Sequence, residues 1–93
     1  MPVTLGLVGD LCLETEWIWR RLRCVRQSMA RCDDRALLDR LHREVHQYVQ
    51  RCLEISTIQQ HLSPFIDEQS LHWMLLLELT NRSLFEVSVM SND

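Results

Sequence analysis

Apolar side chains recur through the first third of the chain at Val8, Leu11, Thr15, Ile18, Leu22, Val25, Met29 and Cys32, with Thr15 the one polar member. The steps alternate between three and four residues, which places the whole series on one stripe of an α-helix. Asp10, after Gly9, is the expected N-cap, and Glu14 and Glu16 then fall in early turns where the helix dipole favours negative charge. Asp33 and Asp34 favour caps and turns, so this helix is expected to stop near Cys32. A second series, Leu38, Leu41, Val45, Tyr48, Cys52, Ile55, Gln59 and Leu62, repeats the alternation. Its cap is expected at Asp33 or Asp34 and its end at Leu62 or Ser63. Pro64 lacks the amide that a continuing helix needs and pushes the residue before it out of helical space.

Two long helices joined by so short a connection are expected to form an antiparallel hairpin, its tip near Asp34 and its two seams facing. Beyond Pro64, Asp67 or Ser70 can cap a third helix over Leu71 to Leu79, with Asn81 as its stop. The run from His72 to Leu79 has no β-branched residue, and Leu and Met favour helix over strand. At the two ends the pattern changes. Val3, Leu5 and Leu7 alternate with Thr4 and Gly6, and Phe85, Val87 and Val89 alternate with Glu86 and Ser88, which reads as two short strands. The expected fold is therefore all-α: an antiparallel helical hairpin of two long heptad-patterned helices plus a short third helix, with short extended termini. It forms a single helical domain over residues 1–93.

Composition supports a folded chain, with 46% hydrophobic residues and only two Gly and two Pro. At 93 residues the core is at the small end for independent stability, which favours burial against a partner. Ten basic residues, all Arg, oppose 13 acidic ones for a net charge of -3. Segment 20–51 holds nine of those Arg against Asp33, Asp34, Asp39 and Glu44, a local balance of +5. Arg stems cover helix flanks and pair with carboxylates, so a solvated or paired face is the favoured reading of this charge. No basic residue precedes the N-terminal apolar stretch, so no secretory signal is expected. The apolar run from Trp73 to Leu79 is too short to span a bilayer. The expectation is a soluble cytoplasmic chain with no membrane partner. Cys12, Cys24, Cys32 and Cys52 include no C-x-x-C pair and match no zinc-ribbon spacing, so they are expected as reduced, buried thiols that behave as small hydrophobes.

Groups that could carry chemistry are sparse. His42 and His46, one turn apart and on one face with Asp39, lack the third and fourth ligands of a metal site. His61 and His72 flank the Pro64 turn with no nucleophile or paired carboxylate beside them. Glu14 and Glu16, two residues apart, point to different sides of their helix and form no dyad. Gly6 and Gly9 precede no basic or hydroxyl cluster and make no phosphate loop. No catalytic, metal or cofactor-binding residues are expected; an enzyme reading has little support, its one form being a metal-dependent catalyst built on His42 and His46, which elemental analysis would test.

The seams leave large apolar residues unspent. Leu13, Trp17 and Cys24 form a second stripe on the first helix, while Val49 and Leu53 follow His42 and His46 on the second. A short C-terminal segment cannot cover both, so these five positions are the candidate partner-binding residues. In outline, as a small acidic helical hairpin with surplus apolar surface, the chain resembles the small chaperone subunits that hold secretion-apparatus proteins before export. That resemblance implies a chaperone or adaptor. From the residues themselves the expectation is a non-enzymatic protein-protein interaction module, its partner a second copy in a homodimer or a heteromeric helical protein. The alternative is a nucleic-acid-binding regulator using Arg20, Arg21, Arg23, Arg26, Arg31, Arg35, Arg40 and Arg43. Overall acidity, the absence of Lys and the lack of a helix-turn-helix pattern stand against nucleic acid as a partner.

Overall fold

The structure is a computed structural model that describes the backbone of residues 2–91 and the side chains of residues 6–90. The fold is all-α, with helices α1 (Pro2–Ala30), α2 (Arg35–Leu62) and α3 (Leu71–Ser91). One 3₁₀ turn, Ser63–Phe65, links the last two, and no strand occurs among the described residues. Asp34 caps α2, its carboxylate accepting from the Ala36 amide at 2.9 Å and more weakly from Leu37 at 3.4 Å. Pro64 ends α2 by tightening the chain into the 3₁₀ turn, and Ile66 then returns it to extended geometry. The Asp67 carboxylate accepts from the Gln69 amide at 2.9 Å, and the Ser70 carbonyl takes the first bond of α3, from the Met74 amide, at 3.0 Å.

Cross-helix contacts fix the directions. Glu14 meets Arg51 and Arg21 meets Glu44, so α1 and α2 are antiparallel. Gln59 of α2 meets Thr80 of α3. Cys12 donates to the His72 carbonyl and Arg26 reaches Glu86, so α1 and α3 run parallel along the bundle. The result is an up-down-up bundle of 50 × 18 × 17 Å.

Both expected seams form the core. Val8, Leu11, Ile18, Leu22 and Val25 are buried on α1 and Leu41, Cys52 and Ile55 on α2, joined by Trp73, Leu76 and Leu79 of α3. Three hydroxyls also lie within it. Thr15 donates to the Leu11 carbonyl at 2.7 Å, Thr80 to Leu76 at 2.8 Å and Ser83 to Leu79 at 2.9 Å. Each returns its proton to its own helix one turn back, which is how a short polar side chain avoids the cost of unpaired burial. Gln59 Nε2 donates to Thr80 Oγ1 at 2.8 Å, which satisfies a buried amide across the α2–α3 contact.

The structure corrects the sequence reading in three places. The termini are helical instead of extended. α1 already includes residues 2–9, and Asp10 lies within it as an exposed residue and not as its cap. The faces expected for Val3 and Leu5 lie outside the described side chains, but Val8 is buried in the core and ties this turn to the bundle. At the other end α3 passes through Asn81 to Ser91 because Trp73, Leu76, Thr80, Ser83, Val87 and Met90 continue the three-four alternation. Thr80 and Ser83 mask that seam in the sequence, and packing overrides the local alternation around Phe85. Finally, α1 packs more extensively on α3 than on α2, so the two seams share the core with α3 instead of facing only each other.

Gly9 offers a direct check on the N-terminal helix. A Cβ built there meets nothing within 4 Å. Gly9→Ala should therefore stabilise the fold by about 0.5–1 kcal/mol through helix propensity alone, seen as a rise of several degrees in thermal midpoint. A loop or cap at Gly9 predicts no gain. Thiol labelling checks the core. Burial pushes the Cys12 and Cys52 thiols up from their ordinary pKa, with Glu16 adding to the rise at Cys12 and the nearby Ser83 hydroxyl opposing it at Cys52. Cys24 is exposed. Under native conditions Cys24 should label first, and Cys12 and Cys52 only as fast as the bundle opens.

Candidate interaction surface

Along the α1–α2 groove the outer wall is built from ion pairs around an aromatic contact. Arg51 grips Glu14 in a bidentate fork, its Nη2 2.9 Å from Glu14 Oε1, and also reaches Glu54 at 2.9 Å. Arg21 makes a matching fork to Glu44, Nη2 to Oε1 3.0 Å, and the Tyr48 hydroxyl donates to the same carboxylate at 2.7 Å. Between the two forks Trp17 packs edge-on against Tyr48, ring centroids 5.7 Å apart. Bidentate geometry holds both long side chains in place, so Trp17 sits on an ordered platform.

Trp17 is nevertheless 59% exposed and Leu13, one turn before it, 69% exposed. Cys24 is exposed two turns farther on. Trp17 lies on the side of α1 that meets α2, and Leu13 and Cys24 lie farther round, on the face turned away from the core. Val49 and Leu53 lie elsewhere. On α2 the residues Glu44, Tyr48 and Arg51 face α1, and Val49 and Leu53 sit about 100° beyond Tyr48 and Cys52, on the flank turned toward α3. Val49 is half-buried and Leu53 exposed. The five candidate residues thus lie in two separate patches, one on α1 and one on α2.

A third apolar stripe was not legible as such. On the outer side of α3, Leu71, Leu75, Glu78, Arg82, Phe85 and Val89 follow four-three alternation, with Met74 beside them. Leu71 is 80% and Phe85 66% exposed. Two interleaved heptad series over the same residues fit a helix and not a strand, and that double pattern was the available signal.

Much of the arginine charge is engaged within the fold. Arg20, Arg21, Arg26, Arg51 and Arg82 each pair with a Glu, and Arg23 and Arg82 stack on the Trp19 ring at 5.1 and 5.4 Å. Glu86, only 8% exposed, lies 3.0 Å from Arg26 at the α1–α3 contact. His42 and His46 are exposed, with His42 Nδ1 2.9 Å from the Leu38 carbonyl. Among the described residues no three His, Cys, Asp or Glu side chains gather where they could hold a metal, and no helix is long and apolar enough to cross a membrane.

Comparison with protein-family models, curated proteins and solved structures gives no match. The surface has to be read from its own geometry.

The two forks make a pH prediction. Hydrogen bonds from Arg51 and Arg21 hold the Glu14 and Glu44 carboxyls below the ordinary carboxylate range, against the opposing effect of burial. A depressed folded pKa adds stability that is present above the unfolded value and is lost as pH falls through the folded one. Unfolding midpoints should decline as pH drops below the usual carboxylate range. In Glu14→Gln/Glu44→Gln that decline should be shallower, with a loss of about 1 kcal/mol at neutral pH for two half-exposed pairs. An unchanged acid limb would remove the forks from the stability balance.

Proposed function

We propose that this chain is a non-enzymatic helical interaction module, acting as an adaptor or small chaperone that holds a helical segment of a protein partner. The observation that carries the reading is the exposed Leu13–Trp17 pair, Trp17 seated between two ordered ion-pair forks and both unused by a core that is already closed. Aromatic anchors with a charged rim are the usual composition of the energetic centre of an interface. An incoming amphipathic helix would place apolar residues at three- and four-residue spacing over Leu13 and Trp17 while its polar flank met the Arg21–Glu44 and Arg51–Glu14 forks. The outline shared with secretion chaperone subunits, a small acidic helical protein with apolar surface to spare, supports the same reading.

A photocrosslinking residue at position 13 in the full chain, expressed in its host, tests this. Discrete protein adducts are expected at 13 and not at the exposed polar control positions Gln27 and Gln47. Trp17→Ala should then weaken partner binding roughly thirtyfold, from a truncation cost of about 2 kcal/mol, with helical content unchanged. Adducts equally frequent at all three positions, or a Trp17→Ala variant that unfolds, would overturn the reading.

A further inference from the structure

The outer stripe of α3 is self-complementary. Read in order it is Leu71, Leu75, Glu78, Arg82, Phe85 and Val89, two apolar residues, an acid, a base and two apolar residues. Laid antiparallel against a second copy of itself about a two-fold axis at Thr80, each residue meets the one whose number brings the pair to 160. Leu71 then faces Val89 of the second copy, Leu75 faces Phe85, and Glu78 faces Arg82. Every apolar residue meets an apolar one and each charge meets its opposite. The two-fold axis repeats all three contacts, as a closed isologous interface requires.

We propose that α3 is a homodimerisation helix and that this antiparallel pairing is its register. The inference rests on the interaction-module reading and names a second copy of this chain as the partner of a different face. Three observations support it. Leu71, Leu75 and Phe85 are exposed, and Met74 beside them widens the apolar strip. Val89 is half-buried at the end of the stripe, where the apolar strip tapers. The central charges are already paired within each copy, Arg82 Nε lying 2.9 Å from Glu78 Oε1. Two such pairs crossing at the axis give a ring of four alternating charges, so docking buries no isolated ion. Beside Phe85 the surface dips between Trp19, Asn81 and Arg82, which leaves room for Leu75 of the second copy to seat against the ring.

Competing registers are penalised by the same residues. Parallel in-register pairing sets Glu78 against Glu78 and Arg82 against Arg82. Sliding the antiparallel pair so that Leu71 faces Phe85 brings the two Glu78 side chains together, and sliding it the other way brings the two Arg82 side chains together. Like charges at the contact are what excludes wrong pairings in helical assemblies. The stripe is about 27 Å long at the usual helical rise. A single helix-on-helix contact of that length falls at the small end of specific interfaces, so the dimer should be of micromolar affinity and in exchange with monomer.

Analytical ultracentrifugation of the full chain at roughly 100 μM, well above such a dissociation constant, is the test. The wild type should sediment at twice its 11.1 kDa mass. Glu78→Arg and Arg82→Glu should each associate at least tenfold more weakly, because each sets like charges opposite each other twice. An equimolar mixture of these two variants should recover the dimer, since every base then faces an acid across the axis. The combined Glu78→Arg/Arg82→Glu chain should dimerise like wild type while restoring the pair within each helix. Circular dichroism of each variant separates loss of association from loss of fold. A monomeric wild type overturns the proposal, as do single variants that dimerise normally or a mixture that does not recover. Because none of these substitutions touches Leu13 or Trp17, crosslinking at position 13 reports separately. Monomers that still crosslink there overturn the dimer alone, and dimers without such adducts overturn the wider reading alone.

Discussion

The bundle depends on the close parallel packing of α3 along α1. That contact closes the third side of the core, and it requires a helix whose inner face is partly polar to enter an apolar interior. Thr80 and Ser83 manage this by donating to the carbonyls of Leu76 and Leu79. Thr15 does the same on α1. Their small volume also allows helices to approach closely, since interaxial distance follows the side chains at the contact. Larger apolar residues at these positions would widen the bundle and would shift the seams that Leu22, Ile55 and Leu76 now fill.

With the core closed in this way, the remaining apolar residues have no structural task within one copy. Their distribution follows from the geometry of three helices. Each helix spends somewhat less than half its circumference inward, and what is left divides into flanks separated by the neighbouring helices. Leu13 and Trp17 fall on one flank, Val49 and Leu53 on another, and Leu71, Leu75 and Phe85 on a third. Ion pairs between helices do little for net stability at this exposure. Their greater effect is to hold Trp17 and Trp19 at fixed positions on the surface.

The two long seams were legible in the sequence residue by residue, as were the Asp34 cap and the interruption at Pro64. These features are local or depend on a periodicity that large apolar residues display openly. The helical N-terminus was hidden because Gly6 and Gly9 weaken helix propensity and Asp10 imitates a cap, whereas burial of Val8 decides the matter through contacts far along the chain. The second half of α3 was hidden for a related reason. Ser83 and Thr80 read as polar until a neighbouring helix shows them to be interior, and Asn81 reads as a stop until both its neighbours are found buried or paired. The candidate residues at Leu13, Trp17, Cys24, Val49 and Leu53 were legible one by one. Their division into two stripes was legible as well, but which stripe α3 adjoins was not, because it depends on which side of the hairpin α3 takes.

The parallel placement of α1 and α3 also bears on how the chain reaches its fold. Helices adjacent in sequence meet by closing short loops, which costs little chain entropy, but the most extensive contact joins segments about sixty residues apart, as Cys12 with the His72 carbonyl illustrates. A chain emerging from the ribosome exposes the apolar seam of α1 through the synthesis of all of α2 and most of α3. At the usual rate of elongation that interval lasts several seconds. Until α3 has been made, this stretch is thus an open pair of amphipathic helices, and the segment made after them is the one that closes it.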